Sequence, residues 1–408
     1  MLKALPLCFV LAGLALYVVL GGADFGAGFW QLAAAHSPDG RRVREFAHRA
    51  MAPVWEANHV WLIFVLVILW TSYPKAFASI TSTLAVPLFI GLLGIIFRGA
   101  AYALRGGAAT AREAGRIDTI FSVSSIIVPF ALGTAVGGIA GDRVPVGNAA
   151  GHEWSSWLNA TSIVIGVLAV ATSAHLAAVY LAADAAHDHD RPLERSFRLR
   201  ALGSGVVAGA IAIAGIFVLN GDDHSLFHSL LSGRALPALI VSGLSGFAAL
   251  ALVYQRRYEL ARYGAALAVA AIIAGWALAR WPTILPHLTV DQAAAGHDIL
   301  VSVVVVILAG GVLLLPSLHL LFRLTLTGRF RAGELSPVQT GTAVTRPAMR
   351  AGLLTRVAVA CLIAGIGLLN IADAKWAHVV GVTCLFAFVG LGFCAIVVPA
   401  LDEQATAR

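Results

Sequence analysis

Apolar residues run through this chain in long stretches, broken by short polar segments. The stretches predict helices over 4–34, 53–73, 79–104, 117–140, 155–184, 200–219, 236–255, 260–281, 297–326, 353–371 and 376–399. Nearly all reach the roughly 20 residues that a helix needs to cross a hydrocarbon core. A β-barrel would show short alternating segments instead. The pattern therefore predicts an all-α polytopic membrane protein. The first apolar run is too long for the roughly 7–15 residues of a signal-peptide core, so it reads as an uncleaved first helix.

Composition agrees. Only 12% of the 408 residues are charged, against about 25% in soluble domains, and mean hydropathy is +0.85. Net charge is +7. The basic residues gather in short loops, and no aromatic–basic interleaving suggests a nucleic-acid partner. The connections after the first, third, fifth, seventh and ninth helices, with the C-terminal tail, hold 21 of the 28 Lys and Arg. The positive-inside rule then places the N-terminus outside and the C-terminus in the cytoplasm. One linker-like stretch, 331–352, separates a nine-helix region (1–330) from a C-terminal helix pair (353–408).

Polar residues inside apolar helices are costly, and each is by default a functional candidate. The stretch Met51 to Ala78 opens with Glu56, Asn58 and His59 between Trp55 and Trp61. Glu56 and His59 are three apart and share a helix face. A carboxylate and an imidazole so placed suit proton transfer, since burial tunes both toward neutral pH. Asp24 stands two-thirds along the first helix, with Gly21 and Gly28 on its face. Because the first two helices are antiparallel, Asp24 and Glu56 fall at similar depth in the cytoplasmic half. Arg98, within the third helix, is placed to counter one of these carboxylates. Asp118 opens the predicted fourth helix and reads as a helix-start carboxylate.

Haem ligation is not indicated. His59, His175 and His319 are the within-helix histidines, and the only methionines are Met1, Met51 and Met349. Asp184, His187, Asp188, His189 and Asp190 resemble a metal cluster but lie in an arginine-rich loop, so they read as a solvated face. The four cysteines read as small apolar residues, and no metal site is expected. No nucleotide-binding or hydrolase motif is present. From the residues alone, a proton-coupled secondary transporter and a purely structural membrane subunit stay open.

Three motifs resemble subunit II of cytochrome bd-type quinol oxidases. GGADFGAG (21–28) is similar to the family's Gly-Phe-Asp-x-Gly-x-Gly element. WEANHVWLI (55–63) is similar to Trp-Asp-Gly-Asn-x-Val-Trp-Leu-Ile and is followed by YPKAFA (73–78). FRGAAYALR (97–105) is similar to Arg-x-x-x-Phe-Glu-x-Arg, and HLAAVYL (175–181) is a weaker match. The chain departs from the family at Glu56 (for Asp), Ala57 (for Gly), Leu66-Val67 (for Gly-Gly) and Ala103 (for an acid). Two helices are added beyond the usual nine.

The resemblance implies a fold of two four-helix bundles plus a peripheral ninth helix. It implies a non-haem subunit of a complex that oxidises quinol and reduces oxygen to water, not catalytic alone. Haem b, with or without haem d, would sit in a partner, the haem-bearing subunit I. Small single-helix subunits, membrane lipid and quinone are further expected partners. The membrane would be a bacterial or archaeal cytoplasmic membrane. Glu56, Asp24 and His59 would then be candidates for a proton path, with Asn58, Arg98, Trp55 and Asp118 in supporting roles.

Overall fold

The computed structural model describes residues 2–34, 40–51, 55–105, 107–108, 110–326, 353–371 and 374–406. The side chains of Trp55, Glu56 and His319 lie outside the described residues. So does the predicted linker up to residue 352, from 327 on. Among the described residues the structure is all-α apart from one short hairpin, Thr283–Leu285 with Leu288–Thr289.

The first apolar run folds as α1 (Leu5–Leu16), a π-helical turn (Tyr17–Gly21) and α2 (Gly22–Ala33). α3 (Gly40–Met51) occupies a segment expected to be loop. Its Val43, Phe46 and Ala47 are buried while Arg42 and Glu45 face out, and Phe46 packs 5.9 Å from the Phe197 ring. An amphipathic stripe with a strongly charged back face is too polar to cross a membrane but well suited to lie along its surface.

The next run forms α4 (Trp55–Ser72), α5 (Pro74–Thr83) and α6 (Ala85–Arg105). Pro74, at the first position of α5, starts a new helix where its missing N–H is no loss. α7 (Ala111–Ala140) begins one and a half turns earlier than predicted, because Thr110 caps it by accepting the Glu113 N–H. Asn159 caps α8 (Ala160–His187) and Asp190 caps α9 (Arg191–Asp222) in the same way. α10 (His224–Leu231), α11 (Leu236–Tyr254), α12 (Tyr258–Arg280), α13 (Val290–Ala293) and α14 (His297–Leu326) follow. Among the described residues, seven helical stretches are long and apolar enough to span a bilayer, and four shorter apolar ones fall in the remaining predicted stretches.

Two compact units divide the chain, Met1–Leu320 and Leu321–Arg408. In the second, α15 (Leu353–Ile371) packs on α16 (Lys375–Thr406). A Cβ at Gly365 would lie 2.7 Å from Leu385 and 3.0 Å from the Gly381 carbonyl. In the first unit α8 is central, its 174–183 run almost wholly buried. Small residues let its neighbours approach. A Cβ on Gly26 of α2 would meet the Ser173 carbonyl oxygen at 1.9 Å, and one on Gly137 of α7 would meet the Ser162 Cα at 2.4 Å. In lipid, such close packing replaces the hydrophobic drive that water supplies elsewhere.

Candidate functional site

α2, α4, α6 and α7 meet around one buried charge pair. Asp24, in the first turn of α2, is 1% exposed, and so is Arg98 of α6. Arg98 Nη2 donates to Asp24 Oδ1 at 2.6 Å and lies 3.3 Å from the Asp24 carbonyl oxygen. Its Nε donates to Ser125 Oγ at 3.0 Å, and that hydroxyl donates to the Phe121 carbonyl at 2.7 Å. Gly28 makes this possible, because a Cβ there would stand 2.3 Å from Ser125 Oγ.

The guanidinium is held between two rings, 5.0 Å from Phe25 and 4.6 Å from Phe121. An arginine prefers aromatic faces to bare hydrocarbon, so the sandwich offsets part of the cost of burying it. Arg is also always charged in proteins, so the Asp24 carboxyl stands against a permanent positive charge.

α4 completes the site. Its Asn58 is buried and donates to the Leu20 carbonyl at 3.2 Å, inside the π turn. That turn loosens the ordinary hydrogen-bond ladder, and the amide side chain reaches into it from the next helix. The His59 ring lies 6.4 Å from Tyr17 and 6.1 Å from Phe25. Tyr17 itself is 6% exposed.

The structure thus brings Asp24, Arg98, Asn58 and His59 together. Glu56 and Trp55 belong to the first turn of α4 by backbone only. Asp118 stands apart. It does not open a helix, since Thr110 caps α7, and it pairs with Arg105 Nε at 2.5 Å on a partly exposed face. His175 lies elsewhere too, buried on α8 with Nδ1 2.9 Å from the Ala201 carbonyl. The cluster expected in a loop in fact begins in the last turns of α8, which hold Asp184 and His187, and it is more engaged than a solvated face. Asp184 pairs with Arg262 at 2.5 Å, and Asp190 pairs with Arg42 at 2.6 Å. No group of three metal-ligating side chains occurs among the described residues.

Tyr17, Phe25, Phe121 and Ser125 escaped the sequence reading. Tyr17 precedes Asp24 by seven residues, about two turns of a regular helix, so it was findable as a nearby polar tip, although the π turn between them shifts that register. Ser125 carried no signal, being one of several serines in an apolar helix.

These features define a polytopic helical membrane protein with an ion pair buried among its packed helices. Residues 2–325 match the profile of the cytochrome bd terminal oxidase subunit II family. The chain belongs to that family. It is 31% identical over 117 residues to cytochrome bd ubiquinol oxidase subunit 2 of Bacillus subtilis, 29% of this chain and 34% of the relative. It is 23% identical over 221 residues to a putative cytochrome bd menaquinol oxidase subunit II of the same organism, 53% of this chain and 62% of the relative. It is 24% identical over 230 residues to cytochrome bd-I ubiquinol oxidase subunit 2 of Escherichia coli, 54% of this chain and 58% of the relative. The chain therefore spans less than two thirds of the length of each of these relatives. Its fold is similar to a chain of the bd oxidase from Geobacillus thermodenitrificans, with TM-score 0.63, 24% identity, and coverage of 80% of this chain and 99% of that one.

Proposed function

We propose that this chain is the non-haem subunit II of a cytochrome bd-like terminal quinol oxidase. In that complex a partner, subunit I, holds haem b, with or without haem d, and oxidises quinol while oxygen is reduced to water. This chain supports the partner and supplies protons from the cytoplasm through Glu56, Asp24 and His59. The N-terminus lies outside and the C-terminus in the cytoplasm. Family membership supports the subunit assignment.

The observation that carries the proton role is the burial of Asp24, at 1% exposure, in a membrane-spanning bundle where the His59 ring lies 6.1 Å from the ring of the adjacent Phe25. A carboxylate is expensive there and is kept where it has work to do. The test has two readouts. The chain should co-purify with a haem-bearing subunit, giving a reduced-minus-oxidised spectrum with b-type bands. Asp24→Asn and Glu56→Gln should then slow quinol-driven oxygen consumption at least tenfold in complexes with unchanged haem content. Normal turnover in both variants would remove the proton role and leave the subunit assignment standing.

A second reading rests on the Arg98 contact. The guanidinium neutralises Asp24 in place, as a purely structural subunit would require. On that reading both variants assemble less well, and every assembled complex turns over at the normal rate.

A further inference from the structure

The arginines at the start of α9 are not equally provided for. Arg198 donates to the carbonyls of Val253 and Tyr254 at 3.3 and 2.7 Å, closing the end of α11. At the same end of the bundle Arg42 pairs with Asp190, and Arg262 pairs with Asp184. Arg200 has no counter-charge among the described residues. Its Nη1 is closed in without a hydrogen-bond partner. The side chain as a whole is only partly buried, so the edge formed by Nε and Nη2 is the accessible one.

Two rings hold this cation. Its guanidinium carbon lies 5.4 Å from the Trp30 ring and 5.1 Å from the Phe197 ring. Both rings are fixed from behind. Trp30 Nε1 donates to the Ala174 carbonyl at 2.8 Å, and the fully buried Phe197 packs against Phe46 of α3. Three helices thus build a cradle for a positive charge and bring no anion to it. Aromatic faces attract a guanidinium, but they do not neutralise it, and a partly desolvated charge left unpaired is costly.

Arg200 is also the last charged residue before the uncharged run from Ala201 to Gly221, which is long enough to cross a hydrocarbon core. The guanidinium therefore stands at the level of the lipid phosphates, on the arginine-rich side of the bundle. Gly203 and Val207, three and seven residues on, share its helix face. A Cβ at Gly203 would meet nothing within 4 Å, and Val207 is 53% exposed. An open apolar track leads from the charge into the bilayer.

The geometry points to a binding site for one anionic phospholipid, its phosphate on Arg200 between Trp30 and Phe197 and an acyl chain along Gly203 and Val207. The Nε–Nη2 edge is a planar fork that matches two phosphate oxygens. Basic pockets between membrane helices at this level take anionic headgroups. A free phosphate would satisfy the same fork, but it would leave the apolar track unused.

The site does not depend on the proposed subunit role. The test takes the full chain in its purified complex, strips bound lipid with detergent, and adds back phosphatidylglycerol or phosphatidylcholine. Retained lipid is counted by native mass spectrometry. Phosphatidylglycerol should be held about fivefold more tightly, the effect of one basic group at an anionic surface. Arg200→Gln should remove that preference. Arg116→Gln, which deletes the same charge from an exposed position near the start of α7, should keep it. Should Arg200→Gln fail to accumulate, Arg200→Lys takes its place and should retain phosphatidylglycerol less well than wild type, having lost the fork. Four results overturn the inference: no preference in the wild type, equal loss in the Arg116 variant, unchanged retention in the Arg200 variant, or displacement of the lipid by an equal concentration of inorganic phosphate.

Discussion

Arg98 reaches across from α6 to hold Asp24 at 2.6 Å, with both side chains 2% exposed or less. Breaking such a pair from one side leaves a bare charge, which costs about 3–5 kcal/mol, whereas replacing both partners with apolar groups is often neutral or stabilising. Arg98→Met alone should therefore lower the thermal stability of the purified protein sharply. Asp24→Leu combined with Arg98→Met should recover most of the loss. A melting series of the single and double variants checks this, and equal losses in both would count against the pair as the source.

The Asn58 amide predicts a smaller effect. Asn58→Ala removes the hydrogen bond to the Leu20 carbonyl, worth about 1 kcal/mol. The same melting assay should show a modest fall, well short of that of Arg98→Met.

Glycine substitutions should sort by what a methyl group would meet. At Gly26 the new Cβ would lie 1.9 Å from the Ser173 carbonyl oxygen, a backbone atom that cannot step aside. Gly26→Ala should force α2 and α8 apart, reducing the yield of folded protein in the membrane. At Gly203, also helical, nothing lies within 4 Å. Gly203→Ala should leave stability unchanged or raise it by up to about 1 kcal/mol. Yield and melting temperature of the two variants, measured side by side, test the contrast.

Outside the apolar helices, acid should loosen one corner of the fold. Burial alone would raise the Asp223 carboxyl, but the Leu226 N–H, the Ser225 contacts and Arg280 together outweigh it and hold the group below its ordinary 3.8. A carboxyl lowered in the folded state adds stability that is full above its unfolded value and is lost as pH falls through the folded one. The contribution is thus intact at neutral pH and fades below pH 3.8. Asp223→Asn removes one of the two carboxylate partners of Arg280, leaving Asp142. Its melting temperature should lie below wild type at neutral pH, with the gap narrowing as the sample is acidified below that value.

Much of the architecture was legible because membrane helices declare themselves by length. The apolar run over 236–281 illustrates this, since the short polar stretch QRRYELARY (255–263) was enough to separate α11 from α12. α3 was not legible as a helix. Its charged face suggested a loop, and only the buried Val43, Phe46 and Ala47 give it a partner surface. The start of α7 was missed for a local reason, as Thr110 caps the chain seven residues before Ile117, where the apolar stretch was read to begin. Within the site, Asp24 and Arg98 stood out because charge is rare in such helices. Which of them touch was set by tertiary packing, notably by Gly28 admitting Ser125, and no pattern along the chain encodes that.

The π turn at Tyr17–Gly21 has a geometric consequence of its own. A π turn is in effect one extra residue set into an α-helix, and each residue of an α-helix advances the chain by about 100°. Everything after Gly21 is therefore rotated by roughly that angle against the frame fixed by α1. Asp24 points at Arg98 only in that rotated phase. Winding the same residues as a regular α-helix would swing the carboxylate about a quarter of a revolution toward a different neighbour, whereas excising one residue together with the π turn would leave its bearing unchanged. In this chain the bearing of the buried charge is kept by the wider winding between Tyr17 and Gly21, much as a slipped tooth on a gear fixes where its index mark comes to rest.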